Sequence, residues 1–236
     1  MCTRYSLTKG QAAILALIKA MKDSASNVPP MAAIYPDGVT RVVRQTDKGS
    51  ELIKMRWGFS KPAIFKGGGY VVNVHNVKSG YWKPWLKTEQ RLVPAISFSE
   101  FTDEIDAKTK RKTATWFALS KKRPIFFFPG IWREWTGTRG TEADPVEGKH
   151  LLYSFLTTNP NRDVKPVHSK ARPVVLTEPE GWQTWLTAPT KALKLHRPLE
   201  NGLSKIVLSG DPKIGLTALR SAHSPRTCLT MILLVE

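Results

Sequence analysis

The sequence predicts an α+β fold in a single domain spanning residues 1–236, with a mostly antiparallel β-sheet or partly closed barrel and flanking helices. Short runs rich in Val, Ile, Phe, Trp and Thr alternate with Gly, Pro and Asp-Gly turn signals, a pattern typical of antiparallel strands. Few βαβ units are recognisable, so a parallel sheet is not expected. A chain of 236 residues buries roughly 70% of its unfolded surface, which is enough for one core.

The predicted elements begin with a helix over residues 8–24. Its apolar residues repeat at helical spacing, at Ile14, Leu17, Ile18 and Met21, and Thr8 is a suitable N-cap. The runs that predict strands are residues 40–44, 51–57, 70–74, 91–98, 113–119, 125–128 and 151–158. Residues 134–149 are polar and Gly-rich and predict a surface loop. Residues 180–186 predict a short helix, and residues 228–235 predict a final strand.

The charge balance points to a polyanionic partner. The chain carries 36 Lys and Arg against 19 Asp and Glu, a formal net charge of +17. Nucleic acid is the first candidate and an anionic membrane surface the second, but no apolar run reaches the roughly 18 residues that span a bilayer. Two cysteines and five scattered histidines show no zinc-ligand spacing. We therefore expect a soluble cytoplasmic monomer, nucleoid-associated in a bacterium, that needs no metal, cofactor or membrane.

Charges are segregated between residues 100 and 123. Acidic side chains come first, and the basic ones that follow are Lys108, Lys110, Arg111, Lys112, Lys121, Lys122 and Arg123. This pattern fits a solvated hairpin with charged edges. The alternative is a rim that contacts phosphates, which the positive excess favours.

Two further features have structural interpretations. Gly67-Gly68-Gly69 is not followed by the Lys-Ser or Lys-Thr of a phosphate-binding loop, so a hairpin tip is expected there. Cys228 lies in an apolar segment and is interpreted as an inert core thiol.

Cys2 carries distinctive chemistry when Met1 is removed, which aminopeptidases do when the next side chain is small. The mature chain then presents an α-amine beside a thiol. The amine condenses with an aldehyde to a Schiff base, and the thiol closes a thiazolidine ring. Because an α-amine titrates at about 7.7–8.0, it is a competent nucleophile near neutrality. An incidental cysteine is the alternative.

Three other polar residues have both a structural and a chemical interpretation. Asn73 interrupts an apolar strand, where it either stabilises a bulge or orients an amine or oxyanion. Glu100 ends a strand between aromatic residues, where it is either exposed or has a raised pKa suited to acid–base catalysis. His168 lies in a loop braced by prolines, with Lys170 and Arg172 nearby, and is either structural or part of a site.

Several short segments occur in a characteristic order: Met1-Cys2-Thr3-Arg4, Arg56-Trp57-Gly58-Phe59, Asn73-Val74-His75, residues 93–101, Pro129-Gly130-Ile131-Trp132, Thr157-Thr158-Asn159 and residues 168–174. Together they resemble the SRAP family (SOS response-associated peptidase), which includes abasic-site processing proteins. The resemblance extends over about residues 2–176. Residues 177–236 are expected to add C-terminal helices and the final strand to the same domain.

The resemblance implies a protein that binds single-stranded DNA and forms a thiazolidine crosslink between Cys2 and the ring-opened aldehyde of an abasic site, which shields the lesion. By the same resemblance Asn73 positions the amine and sugar, Glu100 moves protons, and His168 contacts the lesion and assists as acid or base. The implied DNA contacts are Arg4, Arg56, Trp57, His75, Lys170 and Arg172. The family name also implies self-removal of Met1, so the expected enzyme class is a lyase or an autopeptidase-like hydrolase.

The sequence departs from the family pattern near these residues. Thr3 replaces Gly, and His75 replaces a phosphate-binding Arg, which predicts a weaker and pH-dependent contact. Ser99 and Phe101 replace Tyr and Trp, and Ala171 replaces Met. The alternative function is therefore a non-catalytic module that binds single-stranded DNA. A protease acting on other proteins is a weaker hypothesis, since no Cys–His pair has recognisable protease spacing.

Overall fold

The computed structural model describes residues 2–19, 22–26, 28–61 and 69–210. These residues form the strands β1 (Arg4–Leu7), β2 (Lys22–Asp23), β3 (Met31–Ile34), β4 (Val39–Thr46), β5 (Gly49–Trp57), β6 (Phe59–Ser60), β7 (Tyr70–Val71), β8 (Asn73–Val74), β9 (Gln90–Ala95), β10 (Ser97–Ile105), β11 (Lys112–Ala118), β12 (Phe126–Thr141), β13 (Asp144–Thr158), β14 (Arg172–Pro173) and β15 (Lys205–Ser209). They also form the helices α1 (Gln11–Ile18), α2 (Lys83–Thr88), α3 (Pro179–Thr187) and α4 (Pro189–Ala192).

Five strands close into a barrel in the order β13-β12-β9-β4-β5. Neighbours along this order are antiparallel, and a parallel pairing of β5 with β13 closes the ring, with Arg56 opposite Leu152 and Trp57 opposite Tyr153. The interior is packed with aromatic rings in mutual contact, among them Tyr5, Trp57, Phe128 and Phe155. The predicted, mostly antiparallel single-domain fold is confirmed, and its barrel is fully closed.

A second sheet places the start of the chain beside Glu100. Its strand order is β15-β11-β10-β1-β3. Residues 91–98, predicted as one strand, form two: β9 belongs to the barrel and β10 to this second sheet. The change occurs at Ile96, whose N–H donates to the carbonyl of Ser6 at 2.9 Å. β1 then pairs antiparallel with β10, with Arg4 opposite Ser99.

The first helix is shorter than predicted. It begins at Gln11 after Gly10, which provides no side-chain cap, so Thr8 is not the N-cap. It ends at Ile18, because Lys19 adopts a left-handed φ of 46° that stops the helix. Residues 22–23 form β2 and pair in parallel with β5. Met21, assigned to the helix by its spacing, lies outside the described residues.

The surface loop predicted at residues 134–149 is wrong, because this segment continues the β12–β13 hairpin. The two strands pair without interruption from Gly130–Phe155 to Thr141–Asp144. Cross-strand side chains hold it, since Trp135 stacks on His150 with ring centroids 6.0 Å apart and Lys149 Nζ lies 2.7 Å from a Glu134 carboxylate oxygen. Although its sequence is polar and Gly-rich, this segment forms a β-hairpin that projects into solvent.

The other predicted elements have mixed outcomes. The helix at 180–186 is confirmed as α3, with Trp182, Trp185 and Leu186 on its buried face, and the charged segment between residues 100 and 123 contains the β10–β11 hairpin. The short elements β1, β3, β15 and α2 were not predicted. Gly67, Gly68, Cys228 and the strand at 228–235 lie outside the described residues. None of the described helices has the length and apolarity needed to cross a membrane.

Candidate functional site

Cys2 lies just before β1, is fully buried, and is tied to β8. The side-chain amide of Asn73 donates a hydrogen bond to the Cys2 carbonyl, with Nδ2 and O 2.8 Å apart. The Cys2 Sγ lies 3.3 Å from the carbonyl oxygen of Arg4, to which its thiol donates. Asn73 is held in turn by the parallel pairing of β8 with β13. Asn73, the polar residue that interrupts an apolar strand, therefore anchors the second residue of the chain.

Glu100 lies on β10 and is only 1% exposed. Burial raises the pKa of this carboxyl to about 8, and the nearby Arg172 guanidinium works in the opposite direction. Glu100 is therefore largely protonated at neutral pH and is able to donate a proton. Burial also raises the pKa of the Cys2 thiol well above its ordinary value, and the charge of Glu100 adds to this effect. The thiol therefore stays protonated.

His168 is a close neighbour of Glu100. Its Nε2 lies 3.8 Å from Glu100 Oε2, and its Nδ1 lies 3.2 Å from the Phe101 carbonyl oxygen and 3.3 Å from Asp103 Oδ1. Because a carbonyl only accepts, Nδ1 carries the proton. Burial lowers the pKa of this imidazole, against the opposing charge of Asp103. A neutral ring with a basic Nε2 therefore lies near a protonated carboxyl, an arrangement suited to proton transfer.

The four residues predicted to carry the chemistry are thus brought together by four different parts of the fold. Cys2 precedes β1, Asn73 is on β8 and Glu100 is on β10, while His168 lies in the loop before β14. The Oδ1 atom of Asn73 is buried and has no hydrogen-bond partner among the described residues, so it is an acceptor available near Cys2. The arrangement combines a nucleophile, an acceptor, an acid and a base.

The residues predicted to contact DNA do not all line the surface. The guanidinium of Arg4 lies 4.5 Å from the centre of the Phe101 ring and is largely buried. Arg56 Nη1 is held by Asp37, 2.9 Å from its carbonyl oxygen and 3.2 Å from Oδ2. Lys170 is exposed, and His75 is half-buried. Lys170 is therefore the most accessible of this set.

Two of the predicted contacts, Trp57 and Arg172, lie in the interior. Trp57 is fully buried, its indole N–H donates to the Val72 carbonyl at 2.9 Å, and its ring stacks on Phe155. It offers no free face to a base, because the closed barrel surrounds it. Arg172 is also fully buried, with Nη2 3.2 Å from Ser204 Oγ. Burial lowers its pKa to about 10, so it remains a cation that acts on Glu100 rather than a surface contact.

Sequence analysis missed the supporting partners of the site. Asp103 accepts a hydrogen bond from the Ser169 N–H at 2.8 Å and lies against His168, which orients the His168 loop. Asp103 belongs to the acidic run after residue 100, but no spacing in the sequence links it with His168. Asp37 binds both Arg56 and the buried Arg139, and the glycine-rich segment around residue 139 gave no indication of this network.

A family model described as SOS response associated peptidase (SRAP) matches residues 1–208. The chain belongs to the SRAP family. This match covers the whole barrel and the four residues of the site, and the family description associates the chain with DNA and the SOS response to DNA damage. Among curated proteins, none matches this chain.

Solved structures related to this SRAP chain agree on the fold. A protein from Bordetella bronchiseptica is 18% identical with a TM-score of 0.67, covering 90% of this chain and 100% of its own. A protein from Bacteroides thetaiotaomicron is 16% identical with a TM-score of 0.67, over 86% of this chain and 90% of its own. A phage-related protein from Bordetella bronchiseptica is 20% identical with a TM-score of 0.64, over 86% and 92%. At these identities the likeness concerns the SRAP fold alone.

Within the described ranges, no three His, Cys, Asp or Glu side chains cluster so as to hold a metal ion. At the site, His168 lies near both Glu100 and Asp103. Its carboxyl with a raised pKa and its imidazole with a lowered pKa are suited to moving protons.

Proposed function

We propose that this SRAP chain captures abasic sites in single-stranded DNA through a thiazolidine between mature Cys2 and the ring-opened sugar aldehyde. The observation that carries the proposal is the hydrogen bond from Asn73 to the Cys2 carbonyl, next to a carboxyl whose pKa is raised to about 8. Removal of Met1 converts the amide nitrogen of Cys2 into an amine without disturbing that carbonyl. Asn73 therefore holds Cys2 through its backbone carbonyl, while removal of Met1 makes the Cys2 nitrogen reactive.

The amine acts first, because the buried thiol holds its proton. The neutral amine of Cys2 adds to the aldehyde carbon to give a carbinolamine. The protonated Glu100 then donates its proton to the carbinolamine hydroxyl, which leaves as water, and a protonated Schiff base forms. The raised pKa of Glu100 keeps this acid protonated at the pH where an α-amine is partly neutral.

The thiol completes the capture. Cys2 Sγ adds to the iminium carbon and closes the five-membered ring, and the thiol proton passes to the Glu100 carboxylate. The net reaction joins aldehyde, amine and thiol with loss of one water, and Glu100 ends in its starting state. His168, 3.8 Å from Glu100, relays protons between the carboxyl and the sugar. Asp103 positions that imidazole.

The charge of the chain supports an anionic, unpaired substrate. A net charge of +17 favours binding along a phosphate backbone, and Lys170 lies two residues from His168 at the exposed side of the site. An abasic nucleotide in a single strand has no base to unstack, so its sugar reaches a buried nucleophile at little energetic cost.

Intact-protein mass spectrometry tests the proposal. The purified chain is first weighed to establish that Met1 is absent, then incubated with an abasic single-stranded oligonucleotide. We expect an adduct that resists denaturation, at the summed mass less one water. Cys2→Ala must abolish it, and Cys2→Ser is the matched control that keeps the amine and a polar side chain. An equally stable adduct with Cys2→Ala, or none with a mature chain, overturns the proposal.

A second candidate function is a non-catalytic module that binds single-stranded DNA. Complete burial of Cys2, with its thiol donating to Arg4, favours it, because a buried nucleophile must first be uncovered. Under this function the mature chain binds intact and abasic strands equally and forms no adduct. Competition between the two strands in a salt titration separates the functions, since only capture gives a preference for the lesion.

A further inference from the structure

Asp163 lies in the loop before β14, and its carboxylate is bound by a second loop at residues 199–204. Its Oδ1 and Oδ2 both lie 2.9 Å from the Gly202 backbone nitrogen, and Oδ2 lies 3.0 Å from the backbone nitrogen of Ser204. Asn161 Nδ2 lies 3.3 Å from the same Oδ2. Burial works against a charge here, but these donors, together with the Arg172 guanidinium, lower the pKa of Asp163. Asp163 is therefore an ionised carboxylate at neutral pH.

The loop that binds Asp163 also binds Arg172. The hydroxyl oxygen of Ser204 accepts from Arg172 Nη2 at 3.2 Å, while Arg172 Nε donates to the Pro173 carbonyl at 3.3 Å. Because Arg172 is fully buried, its charge needs a compensating charge nearby. Burial lowers the pKa of Arg172, and two carboxyls oppose this effect, Asp163 the more strongly and Glu100 the less. Asp163 is therefore the main counter-charge of this cation.

Arg172 acts on Glu100 through its charge. In the part of the chain that the structure describes, no carboxylate forms an ion pair with Arg172, and its buried Nη1 has no hydrogen-bond partner. The guanidinium is packed against the Phe98 ring, 5.6 Å from the ring centre. Its charge lowers the pKa of Glu100, against the larger effect of burial. One N–H of Arg172 is therefore available to Glu100 once the attraction of Asp163 is removed.

We propose that Asp163 is a positioning residue for the acid Glu100, because it holds the guanidinium of Arg172 short of an ion pair with that carboxyl. The inference rests on the proposed function, in which Glu100 must hold a proton in order to donate it. While Asp163 is ionised, the buried cation already has a counter-charge, and Glu100 stays neutral. Without that counter-charge, the cation favours ionisation of the other carboxyl that acts on it. Capture then loses its acid.

Several charged or titratable groups face Glu100 from neighbouring elements. The amino-terminal charge and Arg172 on β14 favour ionisation of Glu100, while Asp103 on the same strand disfavours it. The Cys2 thiol lies before β1, and Nε2 of His168 lies 3.8 Å from Glu100 Oε2. A test must therefore change the charge that acts on Arg172 while these other groups stay in place.

The test follows the protonation of Glu100 in the unreacted full chain, by a pH titration of its carboxyl carbon in NMR spectra recorded with isotope-labelled glutamate. Glu100→Gln assigns the signal. Asp163→Asn removes the charge but keeps the size and an acceptor for the N–H groups of Gly202 and Ser204. We expect it to lower the titration midpoint of Glu100 by about one pH unit or more. Asp163→Glu keeps the charge, so its midpoint should stay close to that of the wild-type chain.

Two controls separate charge from packing. Ser204→Ala removes the hydroxyl that Arg172 contacts but keeps the charge of Asp163, and Asp47→Asn removes an exposed carboxylate from the β4–β5 turn. Both should titrate like the wild-type chain. If Asp163→Asn matches these controls, or if Asp163→Glu lowers the midpoint as far as Asp163→Asn does, the inference is overturned.

The capture reaction provides a second, independent measurement. With an abasic single strand, Asp163→Asn should move the high-pH limb of the crosslinking rate to lower pH by about the same amount as the midpoint of Glu100. A mature chain that forms no adduct, while Asp163→Asn still lowers the midpoint, overturns the proposed function and supports the coupling of Asp163 to Glu100. An adduct that forms normally, with an unchanged midpoint in Asp163→Asn, supports the proposed function and overturns the inference.

Discussion

The side-chain amide of Asn73 donates to the backbone carbonyl of Cys2 at 2.8 Å, across 71 positions of sequence. This bond ties the beginning of the chain to β8, which pairs with the barrel strand β13. The pairing of β1 with β10 ties it to the second sheet. A terminal amine is ordinarily mobile, and holding it near its target reduces the entropy lost when it reacts. In the proposed capture reaction, Asn73 would therefore position the nucleophile.

Loss of this bond should slow capture without removing the nucleophile. Asn73→Asp keeps the size and one acceptor but removes the donor, and we expect the crosslinking rate to fall on the order of 10-fold or more. Single-turnover formation of the adduct measures the change. Asn201→Ala, at an exposed asparagine, is the control and should react at the wild-type rate. Equal rates for Asn73→Asp and the wild-type chain would contradict a positioning role.

Glu100 should determine the pH dependence of capture. Its carboxyl is protonated below its pKa of about 8, whereas the amine is neutral above about 7.7–8.0. The rate should therefore pass through a maximum near pH 8. Glu100→Gln cannot donate a proton, so we expect the rate to fall on the order of 100-fold and the high-pH limb to disappear. A variant that keeps both limbs would show that another group is the acid.

The same carboxyl should limit the stability of the fold. A folded pKa of about 8 lies above the ordinary carboxyl value of 4.5, so the folded state binds this proton more tightly than the unfolded chain. The free energy of unfolding is therefore highest below pH 4.5 for this group and falls as the pH rises towards 8. Glu100→Gln should raise the melting temperature at pH 8, by about 2–4 °C for each kcal/mol relieved. The gain should vanish near pH 4, and an equal gain at both values would contradict it.

The sequence predicted an antiparallel sheet or a partly closed barrel, but not the closure of the ring. Alternating apolar runs indicate strands, but the parallel pairing of Arg56 with Leu152 that closes the ring joins positions far apart in sequence. Asn73, Glu100 and His168 were predicted as site residues because polar residues interrupt apolar or braced segments, and the family resemblance then linked them to Cys2. Their roles stay predictions.

The burial of Trp57 could not be predicted, because motif order carries no information about which face of a strand points inward. The hairpin at residues 134–149 was missed for a different reason. Its stabilising contacts, such as that between Trp135 and His150, are cross-strand pairs in a segment that otherwise has the composition of a loop.

Asp37 should be a large contributor to stability. Arg139 is almost fully buried and its Nε donates to Asp37 Oδ1 at 2.8 Å, while Arg56 Nη1 lies 3.2 Å from Oδ2. Asp37 also has a φ of 70°, which asparagine tolerates. Asp37→Asn keeps the shape and backbone but leaves the buried guanidinium without its counter-charge, which should cost about 3 kcal/mol. Urea unfolding measures this, with the exposed Asp47→Asn as a control expected to lie within about 0.5 kcal/mol of wild type.

Arg172 should tune Glu100 from inside the protein. Its buried guanidinium opposes the effect of burial on the Glu100 carboxyl, so Arg172→Met should raise the pKa of Glu100 further above 8. The high-pH limb of the capture rate should then move to higher pH. Ser204→Ala removes one hydrogen-bond partner of Arg172 but keeps the charge, so it controls for packing and should leave the limb in place. A rate profile that shifts equally in both variants would mean that packing, and not the charge of Arg172, sets the protonation of the acid.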